Sequence, residues 1–131
     1  MATFISISPA ETEEFARRFA KEIMPGDLLA LKGELGAGKT QFVKGLVAGL
    51  GSDAVVASPT FTIIHEYRGG KLPLAHVDLY RLESANGIGL EDYLGGEWVT
   101  VIEWAEKIEL PEGTLKIHLA IEDENTRRIE D

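Results

Sequence analysis

The sequence contains no cysteine in its 131 residues and no apolar run long enough to cross a bilayer. The absence of cysteine excludes disulfide bonds, zinc–thiolate sites, iron–sulfur clusters and cysteine nucleophiles. Residues 1–8 also lack the basic region and the long apolar stretch of a secretory signal. We therefore expect a cytoplasmic protein with no attachment to a membrane.

Positive charge is also scarce, because 13 Lys and Arg residues are outnumbered by 22 Asp and Glu residues, which gives a net charge of −9. Direct binding to nucleic acid depends on basic side chains that neutralise phosphates, so this balance disfavours it. Hydrophobic residues make up 44% and charged residues 27%, as in ordinary soluble domains. Length and composition together predict one folded domain that spans residues 1–131.

An amphipathic helix is predicted near the N-terminus. Ser8 is typical of an N-cap, Pro9 suits the first helical turn, and Glu11 completes a capping box. Apolar residues then recur every four positions, which places them on one face of a helix. Pro25–Gly26 predicts the end of this helix.

The remaining pattern alternates one helix with several strands. The predicted elements are a buried strand at 27–32, a helix at 41–50, an antiparallel hairpin of strands at 60–67 and 72–79, and strands at 99–102 and 114–121. Helices and strands alternate early, and strands dominate late. This order predicts an α/β fold with a mixed parallel and antiparallel central sheet flanked by helices. The phosphate-binding segment described next makes it a P-loop NTPase-like domain.

Residues 33–40 match the phosphate-binding pattern G-x-x-x-x-G-K-[ST] in full. They read Gly33-Glu34-Leu35-Gly36-Ala37-Gly38-Lys39-Thr40. The glycines let the backbone N–H groups point inward at an anion, and the following helix directs its positive end at the same point. Lys39 is expected to reach the β- and γ-phosphates of a nucleotide, and Thr40 to offer its hydroxyl to the bridging Mg²⁺. Gln41 continues this nucleotide-binding segment.

A glycine-rich turn that binds nothing is the alternative interpretation of this segment. It is disfavoured because the motif follows a buried-strand pattern directly and precedes an amphipathic helix, which is the arrangement that phosphate-binding loops require.

Two acidic residues follow or end predicted strands and are candidates for the metal site. Glu103 follows the apolar run 99–102, and Asp78 lies near the end of the second hairpin strand. A P-loop enzyme needs such a carboxylate to hold Mg²⁺ directly or through water. The alternative for either residue alone is an ordinary solvated carboxylate.

Other polar features are less specific. Thr60 lies in a proline-containing turn, which is either a plain turn or a switch that senses the γ-phosphate. His65, His76 and His118 lack the close spacing of zinc ligands. The sequence has no N-K-x-D stretch that would select guanine, and no arginine-rich lid of the kind that small-molecule kinases use.

Four motifs in this order resemble the TsaE family, which is also called YjeE. They are the phosphate-binding loop 33–40, Ser58-Pro59-Thr60-Phe61, His76-Val77-Asp78-Leu79-Tyr80-Arg81-Leu82 and Ile102-Glu103-Trp104. The resemblance implies a small bacterial P-loop protein that binds ATP and Mg²⁺ and hydrolyses ATP weakly. Family members work with TsaB and TsaD, the latter of which transfers a threonylcarbamoyl group to adenosine 37 of tRNA.

The resemblance also implies roles for individual residues. Thr40 and Glu103 would be metal ligands, and Asp78 and Thr60 would serve hydrolysis or nucleotide sensing. Tyr80 and Trp104 would lie close to the site. Near the base of the nucleotide, the candidates are Ser8 and either Arg127 or Arg128.

The expected function is therefore slow Mg²⁺-dependent ATP hydrolysis in support of tRNA modification, with tRNA contacted only through the TsaB–TsaD complex. Lys39, Asp78, Glu103 and Thr60 are the candidate catalytic residues. Two alternatives stay open: a nucleotide-gated binding module in which hydrolysis is incidental, and a small-molecule kinase.

Overall fold

The computed structural model describes residues 3–34, 36–56, 64–80 and 89–131. These residues form two α-helices, α1 (Pro9–Phe19) and α2 (Lys39–Gly49), three short 3₁₀-helices and seven strands. The strands are β1 (Thr3–Ser6), β2 (Leu28–Gly33), β3 (Ile64–Tyr67), β4 (Leu74–Asp78), β5 (Val99–Glu103), β6 (Leu115–Ile121) and β7 (Arg127–Glu130). The 3₁₀-helices cover Ala20–Glu22, Leu90–Asp92 and Ala105–Lys107.

All seven strands belong to one sheet, in the order β1-β7-β6-β2-β5-β4-β3. The four central strands β6, β2, β5 and β4 are parallel, and the remaining pairs are antiparallel. The predicted α/β fold with a mixed sheet is thus confirmed. The predicted β3–β4 hairpin is also present, with Ile64 opposite Val77 and Tyr67 opposite Leu74, although residues 60–63 of its first strand lie outside the described residues.

The two helices pack on one face of the sheet. Phe42, Val43 and Leu46 of α2 are fully buried against the inward side chains of β2, β5 and β6. On the opposite face, a second apolar cluster packs under the segment 90–110. Because both faces of β2 are covered, its residues Leu28–Leu31 are all buried, as the continuous apolar run predicts.

A glycine lets α1 and α2 approach closely. A Cβ atom at Gly45 would lie 2.2 Å from the carbonyl oxygen of Glu13 and 2.6 Å from the Cβ of Ala16. Real side chains do not tolerate such contacts, so glycine is needed at this crossing. The close contact fixes α1 relative to α2, and the N-terminal ends of both helices border the site described below.

The start of α1 matches its prediction. Ser8 Oγ accepts a hydrogen bond from the Glu11 N–H at 3.1 Å, and the Ile7 N–H donates to Glu11 Oε1 at 3.0 Å. The Ser8 bond is the predicted N-cap contact, whereas the Glu11 side chain binds the N–H of the residue before the cap and not that of Ser8, as a capping box would require. The α-helix ends at Phe19 and continues as a 3₁₀-helix to Glu22, so the regular helix is shorter than the Pro25–Gly26 stop predicts.

No helix within the described residues is long and apolar enough to cross a membrane.

Candidate functional site

The carboxyl ends of three neighbouring parallel strands bring the predicted polar residues together. Strand β2 runs into the loop 33–40, β4 ends at Asp78 and β5 ends at Glu103. Asp78 and Glu103 are register partners on adjacent strands, and Glu103 also pairs with Leu31 of β2. Open α/β sheets bind ligands at this edge of their strands, so the sequence-separated motifs converge where a ligand site is expected.

The loop 33–40 has the strand–loop–helix arrangement that its sequence predicts. β2 ends at Gly33, and α2 begins at Lys39 with Gly38 as its N-cap. Gly38 has a φ of 99°, a left-handed conformation that favours glycine. The first turn of a helix has N–H groups without intrahelical partners, which makes the start of α2 suitable for binding an anion.

Lys39 lies at the centre of the site and its side chain is only 11% exposed. Its Nζ donates a hydrogen bond to the Gly33 carbonyl oxygen at 2.8 Å and lies 3.4 Å from Glu103 Oε1. The same atom lies 5.4 Å from the centroid of the Trp104 ring. The protein itself thus supplies negative and polar partners of the ammonium group.

Glu103 is a buried carboxylate, 6% exposed, with a partner on each oxygen. Oε1 contacts Lys39, and Oε2 lies 2.5 Å from His76 Nε2. Burial raises the pKa of Glu103, but the hydrogen bond from His76 and the positive charge of Lys39 together lower it by more. The pKa therefore lies below the ordinary value, and the site retains a negative charge.

An aromatic pair borders the acids. The ring centroids of Tyr80 and Trp104 are 4.9 Å apart, and Tyr80 is 59% exposed. Trp104 has a φ of 62° and is the non-glycine residue with positive φ among the described residues. Such a backbone conformation is costly and is concentrated at functional sites. Asp78 Oδ1 accepts the Tyr80 N–H at 2.9 Å, which fixes the chain as it leaves β4.

A cavity of about 780 Å³ connects these residues. The predicted site residues that line it are Ser8, Glu34, Gly36, Gly38, Lys39, Thr40, Gln41, Asp78 and Glu103. The Gly33 carbonyl oxygen accepts the hydrogen bond from Lys39, and Ala37 of the loop is buried. Leu35, Thr60 and Arg81 lie outside the described residues. The volume falls in the range of roughly 300–1,000 Å³ that is typical of small-molecule sites.

One of the two late arginines belongs to this cavity. Arg127 lines it and donates from Nη2 to the Gly36 carbonyl oxygen at 3.1 Å and from Nη1 to the Asp123 carbonyl oxygen at 2.8 Å. The guanidinium group thereby joins the β6–β7 turn to the phosphate-binding loop. Arg128 instead forms ion pairs with Glu122 and Glu130, and is not among the residues that line the cavity.

Several residues of the site have no local sequence signal. His76 begins the motif 76–82, but nothing in the sequence predicts the contact of its Nε2 with Glu103 across adjacent strands. Thr12, Glu124 and Asn125 also line the cavity. Within the described residues, no group of three or more His, Cys, Asp or Glu side chains is arranged to hold a metal ion.

Strand β2, the loop 33–40 and helix α2 together define a P-loop protein on an α/β sheet. A family model, "Threonylcarbamoyl adenosine biosynthesis protein TsaE", matches residues 6–129. The chain belongs to the TsaE family, as its four ordered motifs predict.

Individual relatives agree with this assignment. A protein of Bacillus subtilis (strain 168) is 46% identical over 127 residues, which cover 95% of this chain and 80% of the relative. A protein of Treponema pallidum (strain Nichols) is 40% identical over 130 residues, which cover 95% and 96%. Both are named tRNA threonylcarbamoyladenosine biosynthesis protein TsaE. The crystal structure of Bacillus subtilis YdiB superposes with a TM-score of 0.85 at 42% identity, over 98% of this chain and 82% of that one.

Proposed function

We propose that the chain binds ATP and Mg²⁺ and hydrolyses ATP slowly in support of threonylcarbamoyladenosine formation on adenosine 37 of tRNA. The observation that carries this proposal is the position of Lys39. Its ammonium group lies at the start of α2, 2.8 Å from the Gly33 carbonyl oxygen and 3.4 Å from Glu103. A buried lysine beside unpaired helix N–H groups is suited to a polyphosphate.

Phosphate binding would use the loop and the lysine together. The N–H groups at the start of α2 would donate to phosphate oxygens, and Lys39 would exchange its contact with Glu103 for the β- and γ-phosphates. These donors are held in place before the nucleotide arrives, so little reorganisation is needed to stabilise negative charge.

The residues present also fit Mg²⁺. This ion prefers oxygen ligands and is usually held by one or two protein groups together with phosphates and water. Thr40 and Glu103 line the same cavity, and the lowered pKa of Glu103 keeps its carboxylate charged. Thr40 and Glu103 would therefore hold the ion, which when bound neutralises charge on the phosphates. Asp78, whose carboxylate is anchored by the Tyr80 N–H, would orient the attacking water or hold water in the metal's second shell.

We expect the isolated protein to hydrolyse ATP slowly because the arginine in the cavity is hydrogen-bonded to the protein. Among the described residues, the arginine that lines the cavity is Arg127, and its guanidinium donates to carbonyl oxygens of Gly36 and the β6–β7 turn. Its donors are directed at these carbonyl oxygens, and it would have to give up these hydrogen bonds to neutralise transition-state charge. A free arginine at this step is worth on the order of 10³–10⁵-fold in related machines.

We therefore assign the missing activation to partners, the TsaB and TsaD proteins, with the chain acting as an accessory in the cytoplasm. The net charge of −9 argues that tRNA is contacted through that complex and that the chain itself makes no direct contact.

The test is nucleotide binding and hydrolysis with and without TsaB and TsaD. Wild type is expected to bind ATP in preference to GTP, with hydrolysis rising when the partners are added. Lys39→Ala should lose binding, whereas Lys44→Ala, on the same helix but outside the cavity, should not. Absence of ATP binding by the folded wild-type protein would overturn the proposal.

A nucleotide-gated binding module is the second candidate, and the aromatic pair favours it. Trp104 follows Glu103 directly, and its ring lies 4.9 Å from that of the exposed Tyr80 at an interplanar angle of 45°, so a change at the carboxylate would reach the protein surface. The variant Asp78→Asn separates the two candidates if it binds ATP without hydrolysis. Full support of tRNA modification by such a variant would favour the switch, and its loss would favour coupled hydrolysis.

A further inference from the structure

His76 is a fully buried side chain, and the hydrogen bond of its ring to another described residue joins it to the site. It lies in the middle of β4 and is 0% exposed. Its Nε2 lies 2.5 Å from Glu103 Oε2, whereas its Nδ1 has no hydrogen-bond partner within the described residues. An ionised carboxylate only accepts hydrogen bonds, so Nε2 carries the proton and donates it.

The two ring nitrogens of His76 differ in their hydrogen bonding, because Nε2 has a partner and Nδ1 has none among the described residues. Burying a polar atom without a partner is costly, and a histidine that served only packing would be replaceable by an apolar residue at this position. In the tautomer with Nε2 protonated, the unpaired atom is a lone pair and no N–H donor is left unsatisfied. Among the described residues, the hydrogen bond that orients the ring is therefore the one with Glu103.

Glu103 needs such a contact because of its neighbours. Its side chain has three rotatable bonds, and Lys39 Nζ lies 3.4 Å from Oε1. Without a second partner, both carboxylate oxygens would be free to turn toward the ammonium group. The hydrogen bond from His76 holds Oε2 on the β4 side, so that Lys39 engages only Oε1.

We propose that His76 is a positioning residue that orients the Glu103 carboxylate for the metal ion of a bound nucleotide. This inference rests on the proposed function and extends it to a residue on the neighbouring strand. Hydrogen bonds to metal-ligating groups commonly matter for affinity, and their loss typically weakens metal binding by about 10–100-fold.

The chain offers matched variants for a test. His76→Leu removes the donor at similar volume, and His76→Gln keeps an N–H donor near the position of Nε2. His65 is the control, because it lies directly opposite His76 on β3 and its ring contacts the Tyr67 hydroxyl at 3.2 Å. Circular dichroism and thermal unfolding establish that each variant is folded.

The measurement is the affinity for ATP with Mg²⁺ and with EDTA, by calorimetry. For His76→Leu, we expect the gain in affinity on adding Mg²⁺ to shrink about 10-fold or more, with the EDTA value close to wild type. His76→Gln should recover most of the gain, and His65→Leu should match wild type. Equal Mg²⁺ dependence in folded His76→Leu and wild type would overturn the positioning role, as would a folded His76→Gln that shows no recovery.

Failure of the proposed function has a different signature, because wild type itself would then bind no ATP in either buffer.

A second readout needs neither nucleotide nor metal. Nitrogen NMR of the wild-type imidazole should show a proton on His76 Nε2 whose resonance shifts in Glu103→Gln. An Nε2 without a proton would overturn the inference independently of any variant at position 76.

Discussion

Lys39 Nζ and Glu103 Oε1 lie 3.4 Å apart, and both side chains are largely withdrawn from solvent, with 11% and 8% of their surfaces exposed. An ion pair in such surroundings interacts more strongly than one at the surface, but each charge depends on the other to offset its desolvation. The pair therefore gives the site its charge balance before any ligand is bound.

Removing the lysine should raise the pKa of Glu103. In Lys39→Met, burial still raises this pKa while the ammonium that lowers it is gone, so the direction of change is upward. Carboxyl-carbon NMR across an acid titration measures the shift, with Lys44→Met as the control on the same helix. A Glu103 titration that is unchanged in Lys39→Met would mean that the two groups are not coupled.

The same carboxylate predicts a pH dependence of stability. Because the folded-state pKa of Glu103 is lowered, its ionisation stabilises the protein above the unfolded value of about 4.3, and this contribution is lost as the pH falls through the folded-state pKa. The free energy of unfolding of wild type should thus fall relative to Glu103→Gln as the pH decreases below that value. Urea unfolding of both proteins at several acidic pH values gives the difference, and a difference that is constant with pH would contradict the lowered pKa.

Backbone strain at Trp104 predicts a difference in stability between two variants at this position. Its φ of 62° lies in the region where a Cβ atom is costly. Trp104→Gly and Trp104→Ala both lose the ring, so their comparison isolates the backbone. The glycine variant should be more stable by roughly 0.5–1 kcal/mol, even though glycine gains more entropy on unfolding. Denaturant unfolding compares them, and an alanine variant of equal or greater stability would show that the left-handed conformation relaxes without cost.

Local motifs were predictable from the sequence, and contacts between distant segments were not. The N-cap at Ser8 and the strand–loop–helix order around residues 33–40 depend on residues a few positions apart, and both occur as expected. The strands β1 and β7, which lie at one side of the sheet, have four residues each, too few for a clear alternating pattern. The contact between Arg127 and Gly36 spans 91 positions. It depends on the strand order, which no local pattern determines.

Gly45 marks the place where α1 and α2 approach most closely, and alanine there should destabilise the fold. The added Cβ would lie 2.2 Å from the Glu13 carbonyl oxygen, so the helices must separate. Forced overpacking of this kind costs about 1–3 kcal/mol. Gly96 is the control, because a Cβ there meets nothing within 4 Å. If Gly45→Ala were as stable to urea as Gly96→Ala, the helix crossing would have to be looser than the structure indicates.

Arg127 should hold the phosphate-binding loop in shape through its fork of donors. Lysine has a single nitrogen and is unable to bridge Gly36 to the β6–β7 turn in the same way, so Arg127→Lys should loosen both segments. Amide hydrogen exchange at Gly36, Ala37 and Gly38 should accelerate in the nucleotide-free protein, and ATP binding should weaken roughly 3–10-fold, as expected for about 0.5–1.5 kcal/mol per lost hydrogen bond.

Arg128→Lys separates this effect from a general effect of replacing an arginine of β7 by lysine. Arg128 is the next residue, but its ion pairs with Glu122 and Glu130 do not involve the loop. This variant should leave both the exchange rates and the affinity unchanged. Equal effects from the two variants would mean that the β6–β7 turn acts only through overall stability. An effect confined to Arg127→Lys would instead show that a residue 91 positions from Gly36 determines how well the phosphate-binding loop is preorganised.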